Sequence, residues 1–216
     1  MMIRPKCMGG FLLALPLFLS CNALTEFFIS DEQEVEMGDK FKKQILADTK
    51  NYPQYKNTGS ASDSVIKYVE AMGAKIVRAQ KDRPTLKFTF SVIDNDTMIN
   101  AFAIPGGHVF VYTGLLKAAK NGAELAGVMA HEIGHITMRH GAKQLMKASA
   151  VDIVNQILFE DSSSAAQAIA QICESLLFLK FSRDDERQAD ALGVEYSSRI
   201  GYDAHKMADF FRVLQK

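Results

Sequence analysis

Neither sign of charge is in excess: 25 basic residues face 25 acidic ones across 216 positions. Nothing in that balance suggests a nucleic-acid surface. Cysteine is scarce. Cys7, Cys21 and Cys173 are scattered and form no CxxC pair, so neither a disulfide framework nor a thiolate zinc site is indicated. After the first twenty residues no stretch reaches 18 consecutive apolar positions, so any membrane attachment must come from the N-terminal end. What is present is 48% hydrophobic residues, enough for one domain with a substantial core.

The opening twenty residues read as a signal rather than part of the fold. Arg4 and Lys6 precede the apolar run Phe11 to Leu19, which is too short to span a bilayer, and Ser20 precedes Cys21. The order Leu17, Phe18, Leu19, Ser20, Cys21 resembles a relaxed bacterial lipobox, with Phe18 in place of the commoner Leu. It implies a lipoprotein-type signal at 1–20, lipidation at Cys21 and a domain over 21–216. Without residues 1–20 the chain holds two more acids than bases.

Periodicity then predicts an α+β, mainly helical fold. Ser30 and Gln33 form a capping-box pattern opening a helix with Val35, Phe41, Ile45 and Leu46 inside, and Val65, Val69, Met72 and Ile76 mark a second. From Leu86 the period becomes two. Strands are expected from Leu86 to Val92, Ile99 to Ile104 and His108 to Tyr112, forming a small antiparallel sheet beside the helices. His108 reads as an exposed or hydrogen-bonded strand histidine. Gly141 to Phe159 and the apolar Ala165 to Phe181 read as further helices, with Cys173 buried in the latter.

The chemistry concentrates at Ala130 to His140, AHEIGHITMRH. On a helix His131 and His135 differ by about 40° around the axis, so both imidazoles leave one face and can share a zinc ion. Glu132 stands beside them, placed to act as general base toward a zinc-activated water. Val128, Met129, Ile133 and Ile136 form an apolar arc, and Ala123, Gly127, Ala130 and Gly134 a stripe of small residues opposite. A third ligand is needed. On a straight helix His140 would lie about 140° from His135, which argues against it. Glu186 fits better: Ser182 caps a new helix, Glu186 follows in its first turns, and Asp190 lies one turn on, able to accept the Nδ1 proton of a zinc histidine.

HEIGH at 131–135, RH at 139–140, FSRDDERQAD at 181–190, NAFAIPGG at 100–107 and YTGLL at 112–116 together resemble gluzincin metallopeptidase family forty-eight. That is the family of the CAAX prenyl endopeptidase, HtpX and the mitochondrial Oma-type protease, and the likeness is greatest to its small bacterial periplasmic lipoprotein members. The resemblance implies a zincin-like fold, one zinc on His131, His135 and Glu186, Glu132 as general base and Asp190 behind the ligands. It also implies that Asn100 helps hold a substrate backbone on a strand bordering the cleft. The expected activity is endoproteolysis of misfolded or misassembled polypeptides of the cell envelope, on the periplasmic side of an outer membrane that holds a lipid anchor. The family pattern goes on to a His-Pro motif and an Arg; this sequence stops at Lys216, and His205 does not fill that place. The shortfall favours an alternative, a lipid-anchored chaperone or assembly factor with a structural zinc. A purely structural helical lipoprotein would bind no metal.

Overall fold

The computed structural model describes residues 29–56, 59–147, 167, 169–172 and 180–214. The signal expected at 1–20, Cys21, Cys173 and most of the helices expected between Ala148 and Leu179 lie outside the described residues. Among the described residues no helix is long and apolar enough to cross a membrane.

Helices dominate. In chain order they are α1 (Asp31–Ala47), α2 (Ser60–Ala79), α3 (Thr113–Ala118), α4 (Gly122–Thr137), α5 (His140–Lys147), α6 (Arg183–Arg199) and α7 (His205–Leu214). The strands are β1 (Thr89–Ile93), β2 (Ala101–Ile104) and β3 (His108–Tyr112). Capping sets several starts. Ser30 accepts from Gln33 N–H while the Gln33 side chain accepts from Ser30 N–H, so the expected capping box opens α1. Asn121 accepts from the amides of Ala123 and Glu124, starting α4 after the Asn-Gly break.

The fold class is as expected, but the sheet is mixed rather than antiparallel. Its order is β1-β3-β2; β2 runs antiparallel to β3 across the Pro105-Gly106-Gly107 turn, while β1 runs parallel to β3. The cause lies in the link from Ile93 to Ala101, which skips a strand position and crosses the end of β3. There Gly114 N–H donates to Asn95 O, and a Cβ on Gly114 would stand 2.4 Å from Met98 O. β1 and β2 begin at Thr89 and Ala101, later than the alternating residues suggest.

β3 is buried on both faces. Phe110 and Tyr112 join Phe41, Ile45 and Phe102 on the α1 side, with Phe102 stacked on Phe110 at 4.8 Å, whereas Val109 and Val111 meet Met72, Leu125 and Met129 from α2 and α4. α1 also clamps the β2–β3 turn: a methyl on Gly38 would fall 2.0 Å from Pro105 O, so only glycine permits that approach.

Two buried polar clusters tie α1 to the rest. Glu34, 1% exposed, meets Arg83 Nη1 at 3.0 Å and Arg139 Nε at 2.7 Å, and Asp31 lies 3.0 Å from Arg83 Nη2. In the second, Lys42 donates to Thr89 Oγ1, which bonds His108 Nδ1 at 2.8 Å, and Asp39 Oδ1 lies 3.1 Å from His108 Nε2. His108 is thus hydrogen-bonded, and buried rather than exposed. Burial, then the Lys42 charge, lower its pKa to about 4 against the opposing pull of Asp39. Its neutral form belongs to the fold, so stability present above pH 6.5 is lost as pH falls toward 4, by on the order of 3 kcal/mol. Urea unfolding at about pH 7 and about pH 4.5 checks this. His108→Gln should narrow the gap between the two, and an equal gap in parent and variant refutes the assignment.

Candidate metal centre

α4 brings His131 and His135 onto one face, and their Nε2 atoms stand 3.0 Å apart. Opposite lies α6, opened by a second capping box, Ser182 with Asp185. α4 and α6 approach closely because the small-residue stripe faces this contact: a Cβ on Gly134 would lie 3.2 Å from Ala189 Cα, and one on Gly193 3.2 Å from His131 N. That approach brings Glu186 and Asp190 to the histidines. Glu186 Oε2 lies 3.5 Å from His131 Nε2, and Oε1 lies 4.0 Å from His135 Nε2.

The donor set suits zinc. One ligand atom from each of His131, His135 and Glu186 falls within 4.8 Å of the others. Tetrahedral zinc with bonds of about 2.0–2.2 Å separates its ligand atoms by roughly 3.3–3.5 Å, and the distances of 3.0, 3.5 and 4.0 Å bracket that range. Asp190 Oδ1 lies 2.9 Å from His131 Nδ1. A proton on Nδ1 leaves the Nε2 lone pair aimed at the shared point.

Two nitrogens 3.0 Å apart can share only one proton, so the metal-free rings diverge. Desolvation lowers both, but Asp190, Glu186 and the charge of Glu132 outweigh it at His131, which is raised. His135 is lowered by desolvation and then by His131 and His140. A cation bound by His131, His135 and Glu186 would take the place of that proton.

Glu132 points toward the sheet. Burial pushes its carboxyl up to about 7, with Glu186 adding to the rise and His131 and the Ala103 N–H opposing it. The Ala103 amide is available because β2 is an edge strand. Tyr112 N–H donates to Asn100 O, so by antiparallel alternation Phe102 and Ile104 bond to β3, leaving Ala101 and Ala103 to face outward. Asn100 stands half-buried immediately before this edge.

Three neighbours had no signal in spacing. Phe181 stacks on the His135 ring at 4.2 Å, and Phe211 meets His131 edge-on at 5.2 Å. His140 is the third: it does not point elsewhere, because its Nδ1 lies 3.0 Å from His135 Nδ1. α4 ends at Thr137 and Arg139 adopts φ 58°, so the chain does not continue as a straight helix and His140 turns back toward α4.

Comparisons with known proteins agree with this architecture. Residues 64–215 match peptidase family M48, a family of zinc metallopeptidases. The chain is 31% identical over 201 residues to the beta-barrel assembly-enhancing protease of Escherichia coli (strain K12), covering 86% of this chain and 38% of that protein. It is 30% identical over 198 residues to the protein of that name from Yersinia pestis, covering 86% and 38%. To the mitochondrial metalloendopeptidase OMA1 of Saccharomyces cerevisiae it is 32% identical over 141 residues, 61% of this chain and 40% of that one. The chain thus spans less than two fifths of the bacterial relatives' length. A match over most of the sequence, with the HEIGH helix and the Glu186 helix inside it, shows that the chain belongs to peptidase family M48.

Proposed function

We propose that the chain is a zinc-dependent endopeptidase acting on polypeptides of the bacterial cell envelope. The observation that carries this is the convergence of His131, His135 and Glu186 on one point, with Glu132 beside it. These three residues would hold the metal, which when bound supplies Lewis acidity toward a water and a peptide carbonyl oxygen.

The remaining steps belong to the chain. The outward backbone groups of Ala101 and Ala103 receive an extended substrate as an added strand, and Asn100 at the head of β2 helps hold its backbone. Glu132 removes the proton of the attacking water and returns it to the nitrogen of the leaving amine. A pKa near 7 suits a group that must do both. Asp190 keeps His131 in the tautomer that offers Nε2 inward. Phe181 covers a face of the His135 ring and Phe211 packs edge-on against the His131 ring, which limits water there.

The envelope setting is drawn from the relatives named for beta-barrel assembly and from the lipobox-like sequence ending at Cys21. On this reading the chain is exported and held by a lipid at Cys21 on the periplasmic side of the outer membrane. A lipid-anchored chaperone with a structural zinc is the competing reading; hydrolysis by a purified, metal-loaded sample separates the two.

Glu186→Ala should lower bound zinc from one ion per chain to well below one and remove caseinolytic activity. Metal analysis after gel filtration checks it. Full zinc occupancy in this variant moves the third ligand to another residue.

A further inference from the structure

We propose that His140, backed by Asp185, is a positioning residue for His135, fixing which ring nitrogen His135 turns to the metal; this rests on the zinc reading above. Asp190 sets His131 directly. Among the described residues no carboxylate reaches His135 Nδ1 in that way. Its Nε2 faces His131 and Glu186, and its Nδ1 faces His140 Nδ1 at 3.0 Å.

One hydrogen fits between those two Nδ1 atoms. For His135 Nε2 to offer a lone pair to a cation, the proton must sit on His135 Nδ1, so His140 Nδ1 accepts it. His140 is then the tautomer protonated at Nε2. That nitrogen lies 3.5 Å from Asp185 Oδ1 without hydrogen-bond geometry, so Asp185 favours a proton there by its charge, and Asp185 Oδ2 is itself anchored by Ser182 N–H at 3.1 Å and Ser182 Oγ–H at 2.6 Å. The first turns of α6 therefore serve both rings. Asp185 reaches His135 through His140, Glu186 faces the shared point, and Asp190 reaches His131.

The surroundings bury this relay. His140 is 1% exposed, and Phe181 lies over His135 at 4.2 Å and against His140 at 5.9 Å. Among the described residues the hydrogen-bond partner of His135 Nδ1 is His140 Nδ1. The orientation has a source in the backbone. Arg139 at φ 58° ends α4 and redirects the chain, and its guanidinium is held by Glu34 Oε2 at 2.7 Å and by Ile29 O at 2.7 Å.

Two nearly isosteric replacements separate hydrogen bonding from packing. In His140→Asn the amide oxygen occupies the place of Nδ1, the same number of bonds from Cα, whereas His140→Leu fills similar space and accepts nothing. Zinc dissociation constants come from competition with a chromophoric chelator, using the purified full chain. His140→Leu should bind zinc roughly 10–100-fold more weakly, and His140→Asn should recover most of that loss. Equal affinities in the two variants overturn the proposal. A parent that binds no zinc overturns instead the metal-site reading on which it rests. Should either variant fail to fold, nitrogen-15 NMR of the zinc-loaded parent decides. His135 protonated at Nδ1 with His140 protonated at Nε2 supports the relay; His140 protonated at Nδ1 overturns it.

Discussion

Glu132→Gln should keep its zinc and lose peptide hydrolysis by about a thousandfold or more. The amide has the shape of the carboxyl, and its oxygen can still accept from Ala103 N–H, so the edge strand and the metal site stay in place. It cannot take a proton from water at neutral pH. Glu132 sends its carboxyl toward β2 and is not among the residues that converge on the metal position, so its replacement separates metal binding from proton transfer. Casein cleavage and metal content measured on one preparation check both halves. A Gln variant that cuts at the parent rate removes Glu132 from the reaction, and one that loses zinc makes it part of the metal site.

The second large effect falls on stability, far from the reacting groups. Glu34→Ala should destabilise the protein by roughly 3–5 kcal/mol, because it strands two partly or fully buried guanidinium groups. Arg83 and Arg139 converge on the two Glu34 oxygens, and the carboxylate left to them, Asp31, is 59% exposed and held mainly by Arg83. The loss also reaches the site. Arg139 holds its positive φ against a cost of about 1–2 kcal/mol, and without Glu34 less secures that turn and the His140 ring that follows. Urea denaturation of the zinc-free protein measures it. A change under 1 kcal/mol, on the order of a surface pair, contradicts the account of this cluster.

The residues legible in the sequence are those whose partners are close along the chain or share one helix face. Ser30 with Gln33, and Ser182 before α6, announced helix starts, because capping is settled within four residues. His131 with His135, and Glu186 with Asp190, follow from helical spacing. The stripe of Gly127, Ala130 and Gly134 marked a side of the helix distinct from its apolar arc, and α7 and α6 pack against its glycines. What stayed hidden depends on distant pairings. Strand direction was set by a link crossing the end of β3, which no alternation pattern encodes. The Glu34 cluster joins positions 34, 83 and 139, with nothing local to connect them. His140 was misplaced because a single left-handed residue, Arg139, ended a helix that sequence rules continue, lacking the glycine or proline that would mark a stop.

The central claim is that His131, His135 and Glu186 hold one zinc between them. Its most direct test is a crystal of the purified chain measured above and below the zinc absorption edge. One anomalous peak within about 2.0–2.2 Å of both Nε2 atoms and a Glu186 oxygen is the result expected. A zinc bound elsewhere, or no peak at this point in a zinc-saturated crystal, contradicts it.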